Sequence, residues 1–295
     1  MNTRRLAIAA AIATGVQVGA AMVATRAVGP VLGPVSLALL RYVIGFLCLL
    51  PAAVVMWRRT PFVRRDVVPV ALLGIGQFGI LVALLNVGLR EVPAARGALL
   101  FSAFPLMTLG LAAVLGQEQM GRAKVAGVLL TMLGVALAMG ERVLLPGGVS
   151  LWGEAAVLGA ALCGAVCSVL YRPYLRRYPP VAVSAVAMLA SVAFLAVLAG
   201  TIEDLAAVGR LDAARWGAVL FIGTGSGAGY FFWLYALKHL PPTQVTVSLS
   251  LSPLTAIVLG AGLLGEPVGP GVALGFVAIA AGMWLATRIP PTETG

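Results

Sequence analysis

Charge is what this chain has least of. Aspartate and glutamate together number 10 and lysine and arginine 20 among 295 residues, so 10% of side chains are charged. A soluble fold of this length needs roughly 25% to cover its surface, which excludes that class. Histidine occurs once, at His239, and cysteine three times, at Cys48, Cys163 and Cys167, all three cysteines inside apolar runs. With one histidine and no CxxC pair, neither a metal ligand set nor a disulfide framework is encoded. The cysteines read as small buried hydrophobes. No HExxH, P-loop or triad order is present, so no enzyme activity, cofactor or metal residue is assigned. A GxGxxG match, Gly74-Ile-Gly76-Gln-Phe-Gly79, lies inside an apolar run. It lacks the strand–turn–helix setting a dinucleotide needs.

What the chain has in excess is apolar surface: 61% of residues are hydrophobic and the mean hydropathy is +1.03. The apolar runs are roughly 18–25 residues long, the length that crosses about 30 Å of hydrocarbon as helix. Ten spans are expected, at 6–27, 35–57, 67–90, 93–115, 122–140, 152–172, 180–200, 213–237, 242–264 and 270–287. Prolines and glycines punctuate the joints, as at Gly33-Pro34, Pro179-Pro180 and Pro241-Pro242. The first run is too long for a signal-peptide core and counts as a span.

The net charge of +10 calls for no nucleic-acid partner, because the cations fall between the spans. With the N-terminus inside, thirteen Lys and Arg residues fall on the cytoplasmic side and six outside. That bias predicts an even number of spans in a multi-pass protein in contact with lipid, with both termini cytoplasmic; the localisation expected for the chain is a bacterial inner (plasma) membrane.

The chain repeats itself at an offset of 148 residues. Leu89, Pro93, Ser102, Pro105, Leu106, Ala113, Leu115, Glu118 and Gly121 meet identical residues, and Gly127 and Gly134 meet Gly275 and Gly282. Two prolines and a glutamate in register are hard to obtain by chance. The expected organisation is two five-helix units, 1–145 and 146–295. Five is odd, so the second unit is inverted across the membrane. The fold class is then an all-α polytopic membrane protein of ten helices around a central cavity. Inverted repeats are the signature of transporters that rock about a midplane site.

One stretch resists a hydropathy reading. QVTVSLSLSP, Gln244–Pro253, alternates like a strand. A lone strand in hydrocarbon would leave its backbone unpaired, and the aligned ARGALLFSAF does not alternate. It is expected to be helical, with Thr243, Thr246 and Ser250 on one face and Gln244, Ser248, Ser252 and Thr255 on the other. One stripe lines a cavity or both pack small residues against neighbours.

The order of these features resembles the EamA family of the drug/metabolite transporter superfamily. The resemblance rests on PVSLALLRYVIGFLCLLP (Pro34–Pro51, with Arg41) in the second span, and on Pro105 with Glu118 and Pro253 with Glu266 in the fourth and ninth. It covers the whole chain. The first span reads ATGVQVG where the family commonly carries Trp-Gly, which leaves substrate choice more open. Within the family the chain looks most like bacterial exporters of aromatic and other amino acids. The resemblance implies a basket of ten helices with a cavity lined by spans 1, 3, 4, 6, 8 and 9.

Candidate substrate-binding residues follow from polar or aromatic groups at membrane depth. Arg41 is an intramembrane cation, which faces protein or snorkels to the near interface. Gln17 and Gln77 are amides that need partners once desolvated. Phe78, Phe101, Tyr171, Tyr230 and Trp233 could form an aromatic pocket, with Ser102 and Ser250 at repeat-equivalent positions; core packing or an interfacial belt is the competing reading. Gly223, Gly225, Gly227 and Gly229 mark span 8 as a bending or tightly packed element. The expected activity is export of amino acids, aromatic and other neutral ones, by alternating access. A multidrug or small-metabolite exporter shares the same frame. An intramembrane enzyme or scaffold would need catalytic residues clustered at one depth. Oligomeric state is not encoded in any of these features.

Overall fold

The computed structural model describes residues 3–28, 31–59, 62–91, 100–139, 150–264 and 271–287. Every regular element among them is helical, as hydrocarbon requires of a segment that must satisfy its own backbone. Span 1 is Thr3–Val28 and span 2 is Pro34–Arg59. Span 3 runs as Arg64–Gly74, a π-helical Ile75–Ile80 and Leu81–Glu91. Span 4 resumes as Phe104–Val114 after a turn at Ser102 and Ala103, and span 5 is Arg122–Met139. Span 6 is Leu151–Leu170, continued by Arg172–Arg177. Spans 7 and 8 are Pro180–Ile202 and Ala213–His239. Span 9 is Pro242–Val247, a 3-10 turn Ser248–Ser250 and Leu251–Leu264; span 10 is Gly271–Thr287. Seven helices among the described residues are long and apolar enough to cross a membrane, and the fourth and tenth spans add shorter apolar ones.

The starts of these helices follow local chemistry. Ser150 and Asp212 accept from Gly153 and Arg215 N–H groups and cap spans 6 and 8. Pro180 and Pro242 open spans 7 and 9, where a missing N–H costs nothing. Span 4 ends at Gly116, whose φ of 65° only glycine adopts without strain. Gln117 N–H then returns to the Ala112 carbonyl (2.8 Å), closing a Schellman turn that swings Glu118 off the helix.

Helix pairing repeats across the two units. Span 1 packs on span 8 as span 6 packs on span 3. Span 1 meets span 9 as span 6 meets span 4, and span 2 meets span 8 as span 7 meets span 3. Spans 2 and 7, 4 and 9, and 5 and 10 pack on their own counterparts.

Glycines fix the symmetry. A Cβ on Gly127 would lie 2.6 Å from the Gly282 carbonyl oxygen, and one on Gly134 would lie 2.9 Å from that of Gly275. Gly275 and Gly282 are the repeat equivalents of Gly127 and Gly134. Each glycine therefore faces the other's counterpart, the isologous pattern of a two-fold axis. Numbering rises along span 5 as it falls along span 10, so the axis lies across the helices and the five-helix units are inverted.

Contacts also sort the two ends. At one, Arg4 donates to the Thr287 carbonyl oxygen (3.1 Å), Tyr178 to Asp66 (2.7 Å), and Lys124 to Glu118 (3.1 Å). This basic end holds Arg5, Arg64, Arg65, Arg122, Arg172, Arg176, Arg177 and Lys238. At the other end Glu203 accepts from the Val35 and Ser36 N–H groups (2.9 and 2.8 Å), and Ser150 donates to Glu91 (3.2 Å). The largest core cluster, from Ala7 and Val70 to Leu175, Leu237 and Val245, lies mainly toward the basic end.

The glycine-rich stretch of span 8 lies within one continuous helix, Ala213–His239, and serves close packing. Gly223 and Gly227 face Ile44 and Gly45 of span 2, while Gly225 and Gly229 face Gln17 of span 1. The GxGxxG glycines are likewise contact points: Gly74 meets Ala187, Gly76 meets Cys167 and Gly79 meets Phe194. His239, just past the expected end of span 8 at residue 237, is its last helical residue, and its Nδ1 lies 2.8 Å from the Tyr235 carbonyl oxygen. Pro93, Arg96 and Glu266 lie outside the described residues.

Candidate substrate site

Breaks in three spans set the site. Pro253 has no N–H to offer the Leu249 carbonyl, and the Ser252 hydroxyl donates to that oxygen instead (2.6 Å). The helix tightens to 3-10 over Ser248–Ser250 and continues at Leu251. The repeat-equivalent Pro105 follows the turn at Ser102 and Ala103. QVTVSLSLSP is therefore a helix, and an interrupted one. Its Gln244–Thr255 stripe is the close-packing face: a Cβ on Gly15 would meet the Ser248 carbonyl oxygen at 2.2 Å, and one on Gly19 that of Ser252 at 2.4 Å. The third break is the π-turn of span 3, which carries Gln77 and Phe78. Such turns recur at functional sites. Here the Cys163 thiol of span 6 donates to the Gly76 carbonyl (3.3 Å).

The aromatic candidates converge. Phe78 packs edge-on to Tyr230 at 4.3 Å and against Tyr42 at 4.7 Å. The Tyr230 hydroxyl donates to the Tyr171 hydroxyl oxygen (2.7 Å). Phe104 lies 6.4 Å from Trp233 and 5.6 Å from Phe101. Tyr171 is fully buried, and Phe78, Tyr230 and Trp233 nearly so. Spans 3, 4, 6 and 8 thus bring five of the expected residues into one cluster, with Ser102 at the break of span 4.

In these spans Gln77 Oε1, an acceptor, and Trp233 Nε1, a donor, are buried with no hydrogen-bond partner among the described residues.

Gln17 and Arg41 reach span 8 on different faces. Gln17 lies over Gly225 and Gly229, where a Cβ would meet its Nε2 at 3.2 Å and its Oε1 at 2.5 Å. Arg41 turns inward: its Nε donates to the Ser226 hydroxyl, and its guanidinium sits 5.5 Å from the Tyr42 ring. Arg41 thus makes protein contacts with spans 2 and 8. Ser250 is 6% exposed at the span 9 break. Sequence reasoning passed over Tyr42 and Ser226, the partners of Phe78 and Arg41. One signal was available: Ser226 and Gly225 are the repeat equivalents of Phe78 and Gln77.

Two matches to the EamA-like transporter family span residues 5–140 and 151–288. The chain belongs to that family. A probable terminal-alkyne amino-acid exporter of Streptantibioticus cattleyicolor is 30% identical over 259 residues, 87% of this chain and 84% of that protein. An uncharacterized transporter of Archaeoglobus fulgidus is 25% identical over 87% of this chain and 90% of its own length. A solved structure of 22% identity superposes with a TM-score of 0.80 over 95% of this chain and 96% of that one, which shows the shared fold. This EamA-like transporter is accordingly a multi-pass membrane protein.

Proposed function

We propose that this EamA-like transporter exports amino acids, aromatic and other neutral ones, out of the cytoplasm by alternating access and catalyses no reaction. The observation that carries the reading is the pair of unpartnered polar atoms, Gln77 Oε1 and Trp233 Nε1, in spans that also carry the aromatic cluster. Desolvated polar atoms are costly without partners. An α-amino acid supplies both: its ammonium donates to Gln77 and its carboxylate accepts from Trp233. Phe78, Phe101, Tyr171 and Tyr230 offer apolar and edge-on aromatic contact to its side chain. The name of the Streptantibioticus relative supports the same substrate class.

The units 1–145 and 146–295 rock about the two-fold axis, with Ser102 and Ser250 at the flexing points of spans 4 and 9. The basic end faces the cytoplasm of a bacterial inner membrane and carries both termini. A fluorescent protein fused after Gly295 should fluoresce, as it does only on the cytoplasmic side. Radiolabelled phenylalanine, tryptophan and leucine should move across proteoliposomes holding the purified protein. Gln77→Leu and Trp233→Phe should each slow that flux about tenfold, the loss of one hydrogen bond to a charged group. Absence of flux for every amino acid, beside flux of cationic drugs, would replace the substrate class with the multidrug one.

A further inference from the structure

Span 8 divides its faces among its neighbours. Gly225 and Gly229 lie under Gln17 of span 1, and Gly223 and Gly227 under Ile44 and Gly45 of span 2. Between those contacts Ser226, Tyr230 and Trp233 recur four and seven residues apart and share one face. Tyr230 and Trp233 carry that face into the aromatic cluster, against Phe78 and Phe104. Ser226 lies one turn farther from the basic end, about 6 Å along the helix from Tyr230. Arg41 is fastened to it. The Ser226 hydroxyl donates to the Ile222 carbonyl oxygen, which leaves its lone pairs for Arg41 Nε. The guanidinium sits 5.5 Å from the Tyr42 ring, and that ring packs on Phe78 at 4.7 Å. It therefore borders the cluster on the side away from the basic end.

This cation is not neutralised. Its Nη1 and Nη2 bond nothing among the described residues, and both keep accessible surface. The ion pairs found among those residues leave Arg41 out. Asp66 and Glu118 are engaged at the basic end and Glu203 at the other. An unpaired cation at membrane depth is expensive. The repeat does not require one either, because the equivalent of Arg41 is the exposed Leu189.

We infer that Arg41 is a carboxylate-binding subsite for the exported molecule, an inference that rests on the amino-acid reading above. With Nε held by Ser226, the fork of Nη1 and Nη2 is left for a planar carboxylate to accept from both. The carboxylate moves from Trp233 Nε1, nearer the basic end, to Arg41 as the substrate travels away from that end. A neutral amide or a lone ammonium finds no such partner there.

The test reads binding and needs no transport. The full-length protein in nanodiscs is titrated with radiolabelled phenylacetate, which has the carboxylate alone, and with phenethylamine, which has the ammonium alone. Arg41→Gln should weaken phenylacetate binding at least tenfold and leave phenethylamine within twofold. Arg41→Lys should keep part of the phenylacetate affinity, since an ammonium is a point charge without the fork. Ser226→Asp keeps the arginine and occupies it from within, so it should lose phenylacetate as well; it carries the test if Arg41→Gln does not fold. The inference is overturned if phenylacetate does not bind the wild type, if it binds the folded variants as tightly, or if phenethylamine is lost equally in Arg41→Gln, the mark of a packing role. Phenylalanine flux tests the amino-acid reading separately. Its absence beside Arg41-dependent phenylacetate binding would remove that substrate class and keep the carboxylate subsite.

Discussion

Glu118 does two jobs at once. Its Oε1 accepts from the Thr243 N–H at the start of span 9 (2.9 Å), and its Oε2 pairs with Lys124 (3.1 Å). Its side chain is 1% exposed and that of Lys124 11%. An anion at a helix N-terminus is favoured by the exposed N–H groups there. Removing one member of a buried pair leaves the other charge uncompensated, at roughly 3–5 kcal/mol. Glu118→Ala should therefore lower stability by about that amount in a denaturant titration, and Glu118→Gln, which can still accept from Thr243, by less. A Glu118→Ala protein as stable as the wild type would mean that the cap carries no weight. Arg41 is the residue-scale contrast, since it meets a hydroxyl and an aromatic ring. The sequence marked both residues as intramembrane or near-membrane charges. It could not name Thr243, which is 125 positions from Glu118.

At the scale of elements, interruption and close approach decide what each span does. Span 9 breaks because Pro253 cannot donate to Leu249, and Ser252 satisfies the freed carbonyl. Pro253→Ala restores the donor. It should leave the protein folded and monodisperse while slowing amino-acid flux at least several-fold, by stiffening the segment proposed to flex. Span 1 can lie on span 9 only because Gly15 and Gly19 have no side chain. Gly15→Val would push carbon into the Ser248 carbonyl, which is backbone and cannot turn aside. The expected outcome is loss of monodisperse protein on size-exclusion chromatography, with Gly110→Val, whose Cβ meets nothing within 4 Å, as the tolerated control.

The breaks were half legible. Pro105 and Pro253 stand in register in the sequence but read there as repeat markers within continuous spans, and the π-turn at Ile75–Ile80 has no proline and contains ordinary helix formers beside two glycines. It is set by how span 3 lies against spans 6 and 7, where Gly76 meets Cys167 and Gly79 meets Phe194.

For the whole molecule, the basic end is closed by contacts that join the two units. Tyr178 stacks on Phe62 at 3.9 Å, accepts from the Val63 N–H (3.3 Å) and donates to Asp66 (2.7 Å). The hydrogen bond to the Asp66 carboxylate, with burial second, raises the Tyr178 pKa above its ordinary 10.0. A phenol whose folded pKa is raised stabilises the fold fully below its unfolded value and loses that contribution as pH climbs through the folded one. The melting-temperature gap between wild type and Tyr178→Phe should stay constant up to about pH 10 and narrow above it. A gap that opens with rising pH would reverse the assignment.

The sequence by itself determined that this chain crosses a membrane about ten times, in two inverted units. Span length follows from bilayer thickness, and inversion follows from the odd number of helices per repeat. Only the tertiary structure decided which face of each span meets which neighbour. In a soluble helix, polarity marks the outward face. Here lipid-facing Val197, Val258 and Leu274 are as apolar as buried Leu195, Leu254 and Ile279. Facing is settled instead by steric fit, glycine against backbone and ring against ring, between residues far apart in the chain.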